Sequence, residues 1–339
     1  MARRAPRHDR DAGGPAGVLA AKAALRREVW SAMRAAGVAR FPGAAGRIPN
    51  FTGAEAAAQR LRGTPAWQAA GTVKANPDSA QLPVRQRALE DGKTVYMAVP
   101  RLAGPEPFFA LDPDHLSEPP RKAASIGGAT RSALRVTLAG LSPVDLVVMG
   151  CVAAGEDGAR LGKGGGFADL EFALATAAGL IGPGTVCVTT VHELQVVPAG
   201  TIPQTAHDVP VDLIVTPERV IGCRRGRRPA AGICWEDLTE EKIAAIPLLA
   251  AQRRLAFQAG REPVGHRGPG LEGVVGQAVA AVRVQHQLGA RGLTGQPLGV
   301  VGRDQAVTSA VRDEKRAGDA RGGVLQRQGR GPFAGLGRA

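Results

Sequence analysis

Between Val18 and Gly37 the chain places Leu25, Val29 and Met33 four residues apart, the period of a helix with one apolar face, and Gly37 is a stop signal. Lys22 and Arg26 share that four-residue spacing, so both project from one face of the helix. The following "RFPGAAGRIPNFTG" is broken by Pro and Gly and reads as a loop; "AEAAAQRLRG" reads as a short helix. The pattern then alternates. Residues 71–77 and 93–100 are predicted strands, with a helix over "PVRQRALEDG" between them. After an irregular, Pro-rich stretch, three near-continuous apolar runs at 145–154, 185–191 and 211–217 have the character of parallel strands buried on both faces. A helix is predicted over 167–182 and another over 235–255, the latter with Thr239 at its N-cap and acidic residues in its first turn. Strands interleaved with helices predict an α/β fold with a mostly parallel sheet.

Composition sharpens the boundaries. The chain has 339 residues and is 44% hydrophobic, enough for a real core. Residues 1–17 read as a disordered leader and 18–257 as the folded domain. Beyond residue 258 the pattern loses both periods, with Gly, Arg, Gln and Val recurring in no order, and a disordered basic tail is expected over 258–339. The formal charge is +13, spread over the N-terminus, "CRRGRRP" and the tail, and aromatic residues make up only 4%. No run interleaves Arg or Lys with Phe or Tyr as a single-strand stacking platform would, so a nucleic-acid partner is not expected. Cys151, Cys187, Cys223 and Cys234 form no C-x-x-C pair and read as reduced thiols. With neither an apolar leader core nor a long apolar run, the expectation is a soluble, cytoplasmic protein without a membrane partner. The sequence carries no signal of oligomeric state.

Candidate chemistry centres on "GARLGKGGGFADLEF" (158–172). Its glycines, Gly162, Gly164, Gly165 and Gly166, precede a predicted helix, where backbone N–H groups converge on an anion, and Arg160 and Lys163 would neutralise its charge. The spacing fits neither common nucleotide-binding fingerprint, and by itself leaves a tight turn and a phosphate cradle both open. Asp169 falls in the first helical turn, as a complement to the helix dipole or as a Mg²⁺ ligand. Asp208, before the last strand, and Asp212, at its start, are candidates for a second carboxylate. His207 reads as an exposed loop histidine or a ligand-orienting group, and His192 as a cap at a strand end.

Three motifs in order, "AKAALR" (21–26), "RLGKGGGFAD" (160–169) and "HDVPVD" (207–212), resemble the 5-formyltetrahydrofolate cyclo-ligase family, also called methenyltetrahydrofolate synthetases. The likeness is greatest to the branch of methenyltetrahydrofolate synthetase domain-containing proteins, through "VKANPDSAQLPVR", "TTVHELQVV" and "HDVPVDLIVTP" among other segments. It implies a three-layer α/β/α fold and an ATP- and Mg²⁺-dependent ring closure of 5-formyltetrahydrofolate to 5,10-methenyltetrahydrofolate. It also implies that the formyl oxygen attacks the γ-phosphate and N10 then closes on the activated carbon. By the same resemblance Lys22 and Arg26 contact ATP phosphates. Arg160, Leu161, Gly162, Lys163, Gly164, Gly165, Gly166 and Phe167 form the phosphate loop, with Arg160 and Lys163 serving catalysis. Asp169 and Asp208 hold Mg²⁺. Since Asp169 lies at a helix end, its removal is expected to spare the fold.

Two departures stand out. Classical members carry two aromatics before the motif aspartate, where this chain has Phe167 and Ala168. Where they present a glutamate to the folate, this chain has "SAQLPVRQRALEDG", whose Arg85 and Arg87 are placed to meet an anionic tail or another anionic substrate. The alternatives are therefore an ATP-using enzyme of the same fold with a different small anionic substrate, or a nucleotide- or RNA-binding protein.

Overall fold

The computed structural model describes residues 14–223 and 232–258. The expected leader, apart from residues 14–17, and the expected tail, apart from Gln258, lie outside them. Helix α1 (Pro15–Ala35) starts at a proline, whose missing N–H is harmless in a first turn, three residues earlier than the apolar period suggests. A small ribbon of β1 (Ala39–Arg40) and β2 (Asn50–Phe51) leads to α2 (Ala54–Arg62) and α3 (Pro65–Ala69). Next come β3 (Thr72–Ala75), α4 (Leu82–Glu90), β4 (Thr94–Ala98), β5 (Phe108–Leu111), α5 (Pro120–Ala123), α6 (Ile126–Ser132), β6 (Leu134–Val136) and β7 (Leu146–Val148). The chain continues through β8 (Ala153–Gly155), β9 (Arg160–Leu161), α7 (Phe167–Ala177), β10 (Val186–Thr190), β11 (Val196–Val197), β12 (Leu213–Val215) and β13 (Val220–Gly222). It closes with α8 (Glu240–Ala245) and α9 (Pro247–Gln258).

The main sheet runs β13-β12-β10-β7-β3-β4-β5-β6. Its five central strands pair in parallel, and the antiparallel strands β13 on one side and β5 and β6 on the other form its edges. Alternation along the central strands explains why their sequences are apolar throughout. Val147, Met149, Cys187 and Ile214 face a cluster with α7, α8 and α9, whereas Leu146, Val148, Val188 and Val215 face one with α2, α3, α4, α5 and α6. The architecture is thus three-layer α/β/α. A third cluster packs Val29 and Met33 of α1 against Ile48, Phe51, Val152 and Leu161, seating α1 beside the loop after β9.

The apolar run 145–154 is not one strand. After β7 the Gly150 N–H turns to Asn76 Oδ1 at 3.0 Å, and a Cβ at Gly150 would stand 2.7 Å from Asp78 Oδ2. Gln195 Nε2 then donates to the carbonyls of Cys151 and Val152, both at 3.1 Å, and the chain passes into a separate sheet ordered β11-β8-β9. A continuous apolar run holds no trace of that break, because the groups that cause it come from residues 76, 78 and 195. The predicted helix over 235–255 is also divided. Thr239 does cap α8, its Oγ1 accepting from Lys242 N at 3.2 Å, but Pro247 starts a new helix, since its ring cannot continue the previous one.

Among the described residues no helix is long and apolar enough to cross a membrane. Cys151, Cys223 and Cys234 are free thiols. Burial pushes Cys151 up to about 11, against the weaker pull of its contact with Thr189 Oγ1, so hardly any thiolate exists at neutral pH. Iodoacetamide at pH 8 should therefore leave Cys151 unmodified in the folded protein and label it only after denaturation, a difference that peptide mass spectrometry reads directly.

Candidate active site

The site lies at the C-terminal ends of the parallel strands, the usual position in an open α/β sheet. Leu161 ends β9 and is buried among Val152, Ala153 and Met33, so its side chain belongs to the core and not to the ligand side. From Gly162 to Gly166 the backbone takes conformations that explain the glycines. Gly164 has φ +108° and lies under the Arg26 guanidinium, while Gly166 has φ +65° and caps α7 with no side-chain acceptor. The first-turn N–H groups of α7 are therefore open to an anion.

From the same face of α1, Arg26 reaches this loop, whereas Lys22, read as a phosphate contact, reaches Asp208 instead. Arg26 Nε donates to the Gly162 carbonyl at 2.7 Å, and burial lowers its pKa, opposed by Asp208. Lys22 is buried and ion-paired with Asp208. Asp208 Oδ2 also accepts from Thr205 N at 2.6 Å and Thr205 Oγ1 at 2.8 Å; burial pushes this carboxyl up, but Lys22 and Thr205 together pull it below its ordinary value. Asp169 Oδ1 accepts from Arg160 and from the Val209 N–H at 3.1 Å, which brings Asp169 next to Asp208. The two aspartates each commit one oxygen to these partners. Asp169 Oδ2 and Asp208 Oδ1 receive no hydrogen bond among the described residues. Two adjacent carboxylates with one open oxygen each fit Mg²⁺, which takes one or two carboxylates and fills its shell with phosphate oxygen and water.

Arg160 differs from expectation. Its side chain is 2% exposed, and it reaches Asp169, the Gly150 carbonyl at 3.3 Å and the Val209 carbonyl at 3.4 Å. Burial opposes its charge, yet Asp169 outweighs burial and raises its pKa. A guanidinium so engaged holds Asp169 and the chain around Val209 in place, and of the cations the sequence marked, Arg26 and Lys163 stand at the loop without a carboxylate partner among the described residues. Lys163 is exposed and forms no ion pair among the described residues.

Arg85 and Arg87 are not available to a substrate. Arg85 is 1% exposed and donates to the carbonyls of Asn76, Asp78 and Ala124, which orders the turn after β3. Arg87 pairs with Glu55 at 2.7 Å on α2. Asp212 is also structural: it stands at the opposite end of β12 from the loop, with Oδ2 accepting from Cys187 N at 2.8 Å. His192 caps a short turn by accepting from Leu194 N at 3.1 Å, and His207 bridges Thr205 and Asp237 beside Asp208.

A cleft of about 500 Å³ opens from Lys163, Gly165, Gly166 and Phe167. Its far side carries Asp78, and its floor Glu171, hydrogen-bonded to buried Lys74 and to Asn76 Nδ2 at 3.1 Å. Burial raises the Asp78 carboxyl, against the pull of Lys163 and Arg85. Arg47 and Arg101 line the opening, and Arg101 holds a left-handed φ of 61°. Sequence reasoning missed Asp78, although an aspartate just past a parallel strand is the signal that would have marked it. A smaller, mainly apolar pocket adjoins the same loop, formed by Leu170, Ala173, Val209, Ile233 and Leu238 with Asp169 and Lys242 at its polar side.

This arrangement, a glycine loop and helix N-terminus flanked by cations and carboxylates beside a cleft on a mostly parallel sheet, is that of an α/β enzyme with a loop able to hold an anion. The model of the 5-formyltetrahydrofolate cyclo-ligase family matches residues 18–217, and the chain belongs to this family of ligases. It is 36% identical over 279 residues to the methenyltetrahydrofolate synthase domain-containing protein of Mus musculus, covering 82% of this chain and 75% of that protein. Its match to the Bos taurus protein of the same name is 38% identical over 249 residues, or 72% of this chain and 65% of the relative. Among solved structures it is similar to the 5,10-methenyltetrahydrofolate synthetase of Aquifex aeolicus, with TM-score 0.41 and 21% identity over 61% of this chain and 94% of that one.

Proposed function

We propose that this protein uses ATP and Mg²⁺ to close 5-formyltetrahydrofolate to 5,10-methenyltetrahydrofolate. The observation that carries the reading is that Lys163, Asp169 and the open end of α7 line one cleft, with Arg26 on the Gly162 carbonyl of the same loop and Asp208 next to Val209, whose N–H binds Asp169. Phosphoryl transfer needs positioning and charge neutralisation more than a protein nucleophile, and this set supplies both. Mg²⁺, when bound, would neutralise phosphate charge as the formyl oxygen takes the γ-phosphoryl group and ADP leaves. The N–H groups of Gly166 and the first turn of α7 orient the phosphates; Arg26 and Lys163 balance their charge; Lys22 and Arg160 hold Asp208 and Asp169 in place. N10 then attacks the formyl carbon, phosphate departs with the former formyl oxygen, and N10 loses its proton. On the substrate side, Asp78 accepts hydrogen bonds from ring N–H groups, and Arg47 and Arg101 face the substrate's carboxylates.

The test is absorbance at the methenyltetrahydrofolate band on mixing the protein with 5-formyltetrahydrofolate and Mg²⁺, with and without ATP. An ATP-dependent rise is expected. A flat trace from protein that binds ATP would move the substrate to another small anionic molecule.

A further inference from the structure

We propose that Lys242, on α8, is a phosphate-binding residue of the nucleotide site, a cation that the C-terminal helices bring to the glycine loop from outside the loop's own sequence. The inference rests on the ATP reading above and adds to it a residue beyond the stretch that defines the family, which ends at 217.

Lys242 Nζ donates to the Gly165 carbonyl at 3.1 Å and lies 5.4 Å from the centre of the Phe167 ring. It would be 3.3 Å from a Cβ placed on Gly166, so its side chain crosses the left-handed turn from which α7 starts. Lys242 is half-buried there and forms no ion pair among the described residues. One carbonyl and one ring face leave ammonium capacity unused, since the group has three donors. A cation drawn partly out of water without a carboxylate partner is unfavourable until an anion arrives. Burial lowers its pKa, against the attraction of Asp169, the carboxylate next to the loop.

The lysine is held in this place by its segment. Thr239 caps α8, Ile243, Ile246 and Leu249 are buried in the cluster that also contains Leu170, Phe172 and Leu174 of α7, and Arg253 pairs with Glu240 at 2.7 Å to join α9 to α8. The helix that bears Lys242 is thus packed on the helix whose N-terminus receives the phosphate. A purely structural strut would make the same contacts with Gly165 and Phe167, but its loss would leave the affinity for polyphosphate unchanged.

The experiment is titration calorimetry of the full chain with Mg·ATP and, separately, inorganic tripolyphosphate, for the wild type, Lys242→Met and Lys242→Arg. Methionine keeps the apolar stem against Phe167. The expected result is a loss of about 10- to 100-fold in affinity for both ligands in the methionine variant, the usual range for one charge-assisted hydrogen bond, with most of it recovered by arginine. Lys242→Gln, which can still donate to the Gly165 carbonyl, gives the same readout if the methionine variant melts early. Wild-type tripolyphosphate affinity in Lys242→Met or Lys242→Gln overturns the inference and leaves the ATP reading standing. A wild type that binds neither ligand overturns both.

Discussion

Asp169→Ala is expected to abolish ATP-dependent turnover and to weaken the fold in the same step. Removing one group that stabilises charge in a transition state lowers turnover about 10²- to 10³-fold, and here the loss includes the open Asp169 oxygen proposed for Mg²⁺. The stability effect was not expected from a helix-end position. Asp169 is the partner of Arg160, which is 2% exposed, so its removal strands a buried guanidinium and leaves the Val209 N–H without its acceptor. Breaking a buried pair from one side costs about 3–5 kcal/mol. Asp169→Asn separates the two effects, because its amide oxygen still accepts from Arg160 and Val209. It should retain more stability than alanine and still lose turnover, as measured by thermal melts beside the absorbance assay. Full turnover in either variant would remove Asp169 from the reaction.

Glu171→Ala is expected to destabilise the protein by about 3–5 kcal/mol through the same physics at the cleft floor. Lys74 and Glu171 are 1% and 5% exposed and form an ion pair between β3 and α7, with Asn76 Nδ2 also donating to the carboxylate. With Glu171 gone, a buried ammonium in the middle of the sheet loses its ion-pair partner and keeps only the weaker attraction of Asp78. The double variant Lys74→Met, Glu171→Leu should recover most of the loss, since apolar residues of similar volume often replace a buried pair without penalty. Denaturant melts of the two single variants and the double variant decide the point. A double variant no more stable than Glu171→Ala would show that packing, not stranded charge, dominates there. In the intact protein this pair fixes the helix that starts at the glycine loop against the strand that leads to Asp78, so the cleft's two sides are set relative to each other.

Much of the architecture was legible because it depends on local pattern. Apolar runs mark parallel strands buried on both faces, and β10 and β12 fall where those runs predict, while β3 and β4 fall within the strands predicted over 71–77 and 93–100. The edge strands β5 and β6 were not legible, because they are short and lie in a Pro-rich stretch without a sustained period. Gly179, with φ +72°, also ends α7 sooner than the apolar pattern suggests.

The site divides along the same line. Spacing alone placed Lys22 and Arg26 on one face of α1, and the glycine loop ahead of a helix N-terminus, because both are properties of a few consecutive residues. Which cations remain free for phosphate was decided only by the tertiary structure. Arg160, read as a phosphate ligand, is committed to Asp169; Arg85, read as a substrate cation, is buried on the carbonyls after β3; Asp212 lies at the wrong end of its strand. Asp78 and Lys242 enter the site from distant parts of the chain. A side chain's availability depends on the partners that folding brings to it, and those partners are separated from it in sequence by tens of residues.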